Sequence, residues 1–382
     1  MDLNFFVVQT IYRVTRLKKT SSIFFAALLV AGYLTGCTQS TTEAVARLTE
    51  QPGWPASITD RLSKQLATFP NQVEFAFAKI EGDRISFYGV TRLADTLRFV
   101  KNENRVFEIG SITKVFTATL LAQAVEEGKL HLTDSLASLL PFPLKAGGTI
   151  TLQQLANHTS GLPRLPSNLL PSMMMNPDNP YKNYTTDKLE RYLREEIKLS
   201  APPGQKMEYS NLGAGLLAFV LVQHQKTNYE ELLQSKIFQP YGMLSSSTSR
   251  ERVSKNLVVG VNGSGEPVSY WDLMALEGAG AVLSSTEDLA RFALAQFNAT
   301  AAIARTQTKT HTMNDRTGVG LGWIIREEGN RIIWHNGGTG GFSSCMALDL
   351  TRKRGMIVLS NYSRLANQSQ KIDDLCFELL NH

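Results

Sequence analysis

Apolar and polar residues alternate over 73–90, "VEFAFAKIEGDRISFYGV", in two runs around Glu81-Gly82-Asp83. A period of two marks strands with one buried face, and the short polar break predicts a β-hairpin. Near the other end, "GLGWIIREEGNRIIWHNGG", "SSCMALDL" and "GMIVLSNY" are three more strand-like runs with short turns, followed by a helix in "SQKIDDLCFELL". Between these ends the pattern is helical, over 113–127, 151–157, 187–197, 211–225, 229–238 and 286–297. Strands at both ends with helices between predict an α+β fold. One mainly antiparallel sheet is made by both termini and flanked by helices, with a helical subdomain beside it. Residues 163–185 interrupt the pattern with five prolines and three consecutive methionines. No single regular element spans them, and they read either as a disordered surface loop or as an apolar binding surface.

The chain has 382 residues, 43% hydrophobic and 19% charged, a globular balance with enough apolar residues for one large core or two smaller ones. No internal repeat is visible, and the length favours two lobes. The N-terminus departs from this pattern. A basic stretch, "RVTRLKK", precedes "SSIFFAALLVAGYLTGC", a short apolar run ending in small residues. That is the layout of an export signal. Its ending, Leu34 to Cys37, resembles a bacterial lipobox, in which the signal is cut before the cysteine and the thiol carries lipid. On this reading residues 1–36 are a signal peptide, 37–55 a polar tether and 56–382 the folded domain. An uncleaved anchor is the alternative. Both place the chain outside the cytoplasm, held to a membrane on the periplasmic or cell-surface side.

Net charge is +5, of which +3 falls before residue 37. The remainder is too small to suggest nucleic-acid binding. Beyond Cys37, Cys345 and Cys376 are too few for a disulfide framework and read as buried small hydrophobes, one in a strand and one in a helix.

The chemistry starts at "VFEIGSITKVFTATLL". A serine hydroxyl is a weak nucleophile until a base takes its proton, and lysine serves when burial or nearby positive charge lowers its pKa. Ser111 and Lys114 are neighbours on one helix face. Alone, Ser-x-x-Lys fits equally a capped helix with a surface lysine. The apolar flanks argue against that, because they run this helix, and its lysine, through the core. A second element is Tyr209-Ser-Asn211 before a strongly apolar helix, which alone reads as a turn and an Asn cap. A third is "IIWHNGGTGGFSSCMALDL", where His335 ends a strand and opens a glycine-dense run. Glycines that dense among strand residues suggest close approach of a backbone or ligand.

In this order the three resemble the motifs of the penicillin-binding-protein and class C β-lactamase family of serine hydrolases, including its carboxypeptidase and esterase relatives. "TLQQLANHTSGLP", "IFQPYGM" and "GAGAVLSSTEDLARF" resemble further family segments, so the likeness runs from about 73 to 380. It implies a β-lactamase/transpeptidase-like fold and an acyl-enzyme on Ser111. It implies that Lys114 and Tyr209 share the proton work and that Asn211 orients the substrate amide and Lys114. The backbone N–H groups of Ser111 and Gly338 would hold the oxyanion, and His335, Gly337 and Thr339 would line the substrate. The third motif starts with His335 where β-lactamases of this type carry a lysine that helps hold the substrate carboxylate. Neutral imidazole argues for a peptidase or esterase over an efficient β-lactamase.

His158, in "HTSGLP", reads as scaffolding. His131, His224, His311 and His382 have no ligand spacing, so no metal or other cofactor is expected. The expected activity is a D-Ala-D-Ala carboxypeptidase or related peptidase. An esterase, a weak β-lactamase and a catalytically silent penicillin or peptide sensor are the alternatives.

Overall fold

The structure, a computed structural model, describes residues 48–382. The expected signal and Cys37 lie outside the described residues. Among the described residues no helix is long and apolar enough to cross a membrane.

The alternating run at 73–90 forms β1 (Glu74–Glu81) and β2 (Arg84–Leu93), joined at Gly82-Asp83, with Gly82 at a φ of +62°. The other strands are β3 (Thr96–Val100), β4 (Phe107–Glu108), β5 (Leu283–Ser284), β6 (His311–Asn314), β7 (Thr317–Val319), β8 (Ile324–Glu328), β9 (Asn330–Gly338), β10 (Ser343–Asp349) and β11 (Arg354–Ser360). Nine of them form one antiparallel sheet in the order β3-β2-β1-β11-β10-β9-β8-β7-β6, while β4 and β5 pair separately. The two ends of the chain meet where β1 pairs with β11, from Phe75 opposite Ser360 to Glu81 opposite Arg354. The sheet shared by both termini is therefore present.

The longer helices are α1 (Ala56–Leu66), α2 (Thr113–Glu126), α3 (Asn211–Gln225), α4 (Thr286–Phe297), α5 (Ala301–Gln307) and α6 (Gln370–Leu380). Both faces of the central strands are covered. Phe75, Phe77, Cys345, Ala347, Met356 and Val358 pack with α1 and α6, and Ala76, Ala78, Met346, Leu348, Ile357 and Leu359 face the helical side with α2 and α4. Each large apolar side chain buried this way contributes about 1.5–3 kcal/mol, which a solvated hairpin would lack. The free thiols Cys345 and Cys376 are buried in β10 and α6, as small hydrophobes. Within the helical side, α2 and α3 are buried on nearly every face, so neither shows an amphipathic stripe.

The differences from expectation are local. The run at 320–338 is two strands, β8 and β9, because Gly329 turns the chain at a φ of +77°. His335 therefore lies inside β9, which continues through Gly338. The helices expected at 187–197 and 229–238 each begin as α-helix and finish in a wider π turn, at Tyr192–Glu196 and Gln234–Phe238. The Pro- and Met-rich stretch holds a short helix, Leu170–Met175, with Pro171 near its start. Met173 is buried there and Met174 and Met175 are exposed. Trp54, which composition put in the tether, is buried against Phe77 and Tyr88, since an indole gains more from that contact than from water.

Candidate active site

Ser111 sits in a single 3-10 turn, Gly110–Ile112, that feeds directly into α2. No side chain caps this entry, so Ser111 is not spent as a helix cap. The turn lies against β9 with almost no space between backbones. A Cβ at Gly337 would fall 2.0 Å from the Ile109 carbonyl oxygen and 2.9 Å from the Ser111 nitrogen. Gly110, at a φ of +50°, leaves a Cβ only 2.4 Å from the Gly338 nitrogen. The glycines thus serve the close approach that their density suggested, and the approaching group is the Ser111 turn. The peptides of Ser111 and Gly338 meet in this contact. From β10, the Ser344 hydroxyl donates to the Ile109 carbonyl at 2.8 Å and ties the turn to the sheet.

One helical turn on, Lys114 is buried, with Nζ 3.1 Å from Ser111 Oγ, 2.9 Å from Asn211 Oδ1 and 2.7 Å from the Ala279 carbonyl oxygen. Burial, aided by the charge of Arg164, holds this amine well below the usual lysine range.

Tyr209 and Asn211 are placed by the start of α3. The cap is Ser210, whose hydroxyl accepts from the Gly213 N–H at 2.9 Å and donates to the Pro163 carbonyl at 2.7 Å. Sequence alone suggested Asn211 as the cap. It is instead the first helical residue, and its side chain is free to reach Lys114. The Tyr209 hydroxyl is hydrogen-bonded to Ser111, and loss of solvent pushes the phenol up to about 12. Its ring is surrounded: Lys114 Nζ lies 4.8 Å from the centroid, Arg164 Cζ 5.0 Å, the His158 ring 4.5 Å and the His335 ring 6.1 Å. His158 is scaffolding here in a direct sense. Its Nδ1 accepts the Ser210 N–H at 3.2 Å and its ring backs Tyr209.

His335 is buried, and its Nδ1 lies 2.6 Å from the Asn336 carbonyl oxygen. A carbonyl carries no proton, so Nδ1 is the protonated nitrogen. Burial, with Lys114 nearby, lowers the imidazole to about 3. It is neutral at physiological pH. Thr339 was expected to line the substrate, but it is buried and its hydroxyl donates to Glu108 Oε2. Glu108 also accepts the Trp271 N–H at 2.8 Å, and burial raises its carboxyl to about 7.

The structure therefore brings Ser111, Lys114, Tyr209, Asn211, His335, Gly337 and Gly338 together, and turns Thr339 toward Glu108. Sequence reasoning missed Glu108, which lies inside the Ser111 segment, Arg164, which directly follows "HTSGLP", and the pair behind β9. There Arg364 grips the Asp373 carboxylate at 3.0 and 2.7 Å, and Asn336 joins it at 2.7 Å. A cavity of about 630 Å³ over β2 and β3 contains none of these side chains, so the chemistry lies elsewhere. Among the described residues no group of three or more His, Cys, Asp or Glu side chains is arranged to hold a metal.

Comparison with known proteins gives the family. The chain is 29% identical over 388 residues to the D-alanyl-D-alanine-carboxypeptidase/endopeptidase AmpH of Escherichia coli (strain K12), covering 94% of this chain and 96% of that one. It is 28% identical to penicillin-binding protein 4* of Bacillus subtilis (strain 168), over 70% of this chain and 63% of the relative. A solved β-lactamase/D-alanine carboxypeptidase from Yersinia pestis, complexed with citrate, superposes with a TM-score of 0.64 at 25% identity, covering 80% of this chain and 93% of that structure. The Beta-lactamase family model matches residues 73–376, the span that holds the sheet and all three motifs. By that match, and by a serine, lysine and tyrosine converging on this fold, the chain belongs to the β-lactamase family of serine hydrolases.

Proposed function

We propose that the protein is an exported, lipid-anchored hydrolase that forms an acyl-enzyme on Ser111 and acts on D-Ala-D-Ala-type peptides. The observation that carries this reading is the set of partners around Lys114. A neutral amine has two N–H groups and one lone pair. In the neutral form, with the Asn211 and Ala279 oxygens accepting both N–H groups, the lone pair is left for the Ser111 hydroxyl, whose oxygen lies 3.1 Å from Nζ. Burial, with the charge of Arg164, holds the amine well below the usual lysine range and so favours this neutral form. Lys114 then takes the Ser111 proton as Oγ attacks the substrate carbonyl, and the Ser111 and Gly338 N–H groups hold the oxyanion. Tyr209 retains its proton at neutral pH and passes it to the leaving nitrogen or oxygen as the tetrahedral intermediate collapses. Water then releases the acyl group by the reverse relay.

The relatives' names support a peptidase: one is a carboxypeptidase/endopeptidase and another a penicillin-binding protein. The neutral His335 favours small-ester hydrolysis as the second reading. The test is a panel of a peptide ending in D-Ala-D-Ala, p-nitrophenyl acetate and nitrocefin. The expected order of kcat/KM is peptide, ester, nitrocefin, and dominant nitrocefin turnover overturns it. A protein labelled by fluorescent penicillin that turns over none of the three would be a sensor.

The anchor has its own prediction. Cys37→Ala should leave the protein unprocessed or release it from membranes, read by fractionation and metabolic lipid labelling. Undiminished lipid incorporation would refute the lipobox.

A further inference from the structure

A peptide cut near its C-terminus presents a carboxylate beside the bond that Ser111 attacks. The cation that the family resemblance leads one to expect for it is missing, because His335 is neutral and its Nδ1–H is already given to the Asn336 carbonyl. Thr339 offers no charge and, while Glu108 is ionised, donates its hydroxyl to it.

Three other basic side chains stand around the Tyr209 ring and the Ser111 turn. Lys114 is filled by three oxygen partners. Arg364, whose Cβ would lie 2.1 Å from a Cβ at Gly338, is held by the Asp373 carboxylate. Arg164 differs from both. Its side chain is half-buried and lies over the Tyr209 ring, and among the described residues no carboxylate pairs with its guanidinium and no oxygen accepts from it. Its position is nonetheless fixed. The Arg164 carbonyl accepts the N–H groups of Asn211 and Leu212 at 3.0 and 3.1 Å, and the preceding Pro163 carbonyl accepts the Ser210 hydroxyl. The residue is thus locked to the start of α3, next to both side chains of the second motif.

A guanidinium presents its N–H donors as a planar fork that matches a carboxylate two-on-two. With no protein acceptor, and with none of its nitrogens among the buried unpartnered atoms, its N–H groups are open to an incoming anion, to which they would make charge-assisted hydrogen bonds. We propose that Arg164 is the anion-binding subsite of this active site, selecting substrates that carry a carboxylate beside the bond attacked at Ser111. The subsite replaces, from the loop after "HTSGLP", the cation absent from the third motif. It rests on the Ser111 hydrolase reading and narrows the substrate class.

The experiment compares one peptide as its free C-terminal carboxylate and as its carboxamide. Each enzyme is assayed on the alkaline plateau of its own pH–rate profile, because removing Arg164 also raises the proton affinity of Lys114. Wild type should prefer the carboxylate in kcat/KM by about tenfold or more, the range of a charge-assisted hydrogen bond. Arg164→Gln should bring the ratio toward one, chiefly through KM for the carboxylate, and Arg164→Lys should restore part of it. A wild-type ratio near one overturns the proposal. So does an Arg164→Gln enzyme that loses both substrates equally, since that marks a role through Tyr209 or Lys114 alone. Fluorophosphonate labelling separates the two levels. If wild-type Ser111 is not labelled, the hydrolase reading fails and the subsite falls with it. If it is labelled and discrimination is absent, only the subsite fails.

Discussion

Ser111→Ala yields a folded protein that accepts no acyl group. Fluorescent penicillin and fluorophosphonate should leave no adduct by intact mass, and turnover of every substrate in the panel should vanish into background. Stability should change little. The Ser111 hydroxyl caps no helix and, among the described residues, hydrogen-bonds Lys114 and Tyr209, so its removal costs on the order of one net hydrogen bond, about 1 kcal/mol. The turn around it is held by contacts that alanine keeps: the Ile109 carbonyl to Ser344, and the Gly110 and Gly337 backbones in contact with β9 and the turn. Thermal melting should therefore separate loss of chemistry from loss of fold. An adduct surviving at another residue would remove Ser111 from the nucleophile's role and leave its geometry unexplained.

Much of this was legible in the chain because its strongest patterns are local. Alternation fixed β1 and β2, and the uninterrupted apolar runs around Lys114 and after Asn211 announced two helices through the core. What was missed depends on neighbours distant in sequence. β3, β6 and β7 are short outer strands, and the four residues of β6 are largely exposed, so no buried face imposes an alternation. α1 was also missed, although Ile58, Leu62 and Leu66 recur at helical spacing beside the tether-like composition.

In the site, the spacing of Ser111 and Lys114 predicted their contact. It carried no trace of the Ala279 carbonyl, 165 residues away, which accepts from the lysine amine. The pairing of Thr339 with Glu108 crosses 231 residues and turned an expected substrate contact into an internal one. His335 was flagged by identity alone. Its neutral state follows chiefly from burial, which only the fold supplies.

Lys114→Ala and Tyr209→Phe should each slow acylation by roughly 10²–10⁴-fold, the usual range for a positioned acid or base. The double variant should be far less impaired than the product of the two losses, because both residues serve one coupled relay that takes a proton from Ser111 and delivers one to the leaving group. The pH profile assigns the steps. A lysine works as a base when unprotonated, and burial with Arg164 lowers this one well below its usual range. Acylation should therefore rise with pH along a limb centred well below the free-lysine value, and fall as pH drops through it. Tyr209→Phe should keep that acid limb, since the phenol, raised to about 12, remains protonated across it. In Lys114→Ala the limb should disappear and a small rate should remain. Single-turnover acylation across pH measures all four enzymes. If Tyr209→Phe erases the acid limb while Lys114→Ala retains it, the phenolate is the base, and the two N–H acceptors around Lys114 serve an ammonium ion instead.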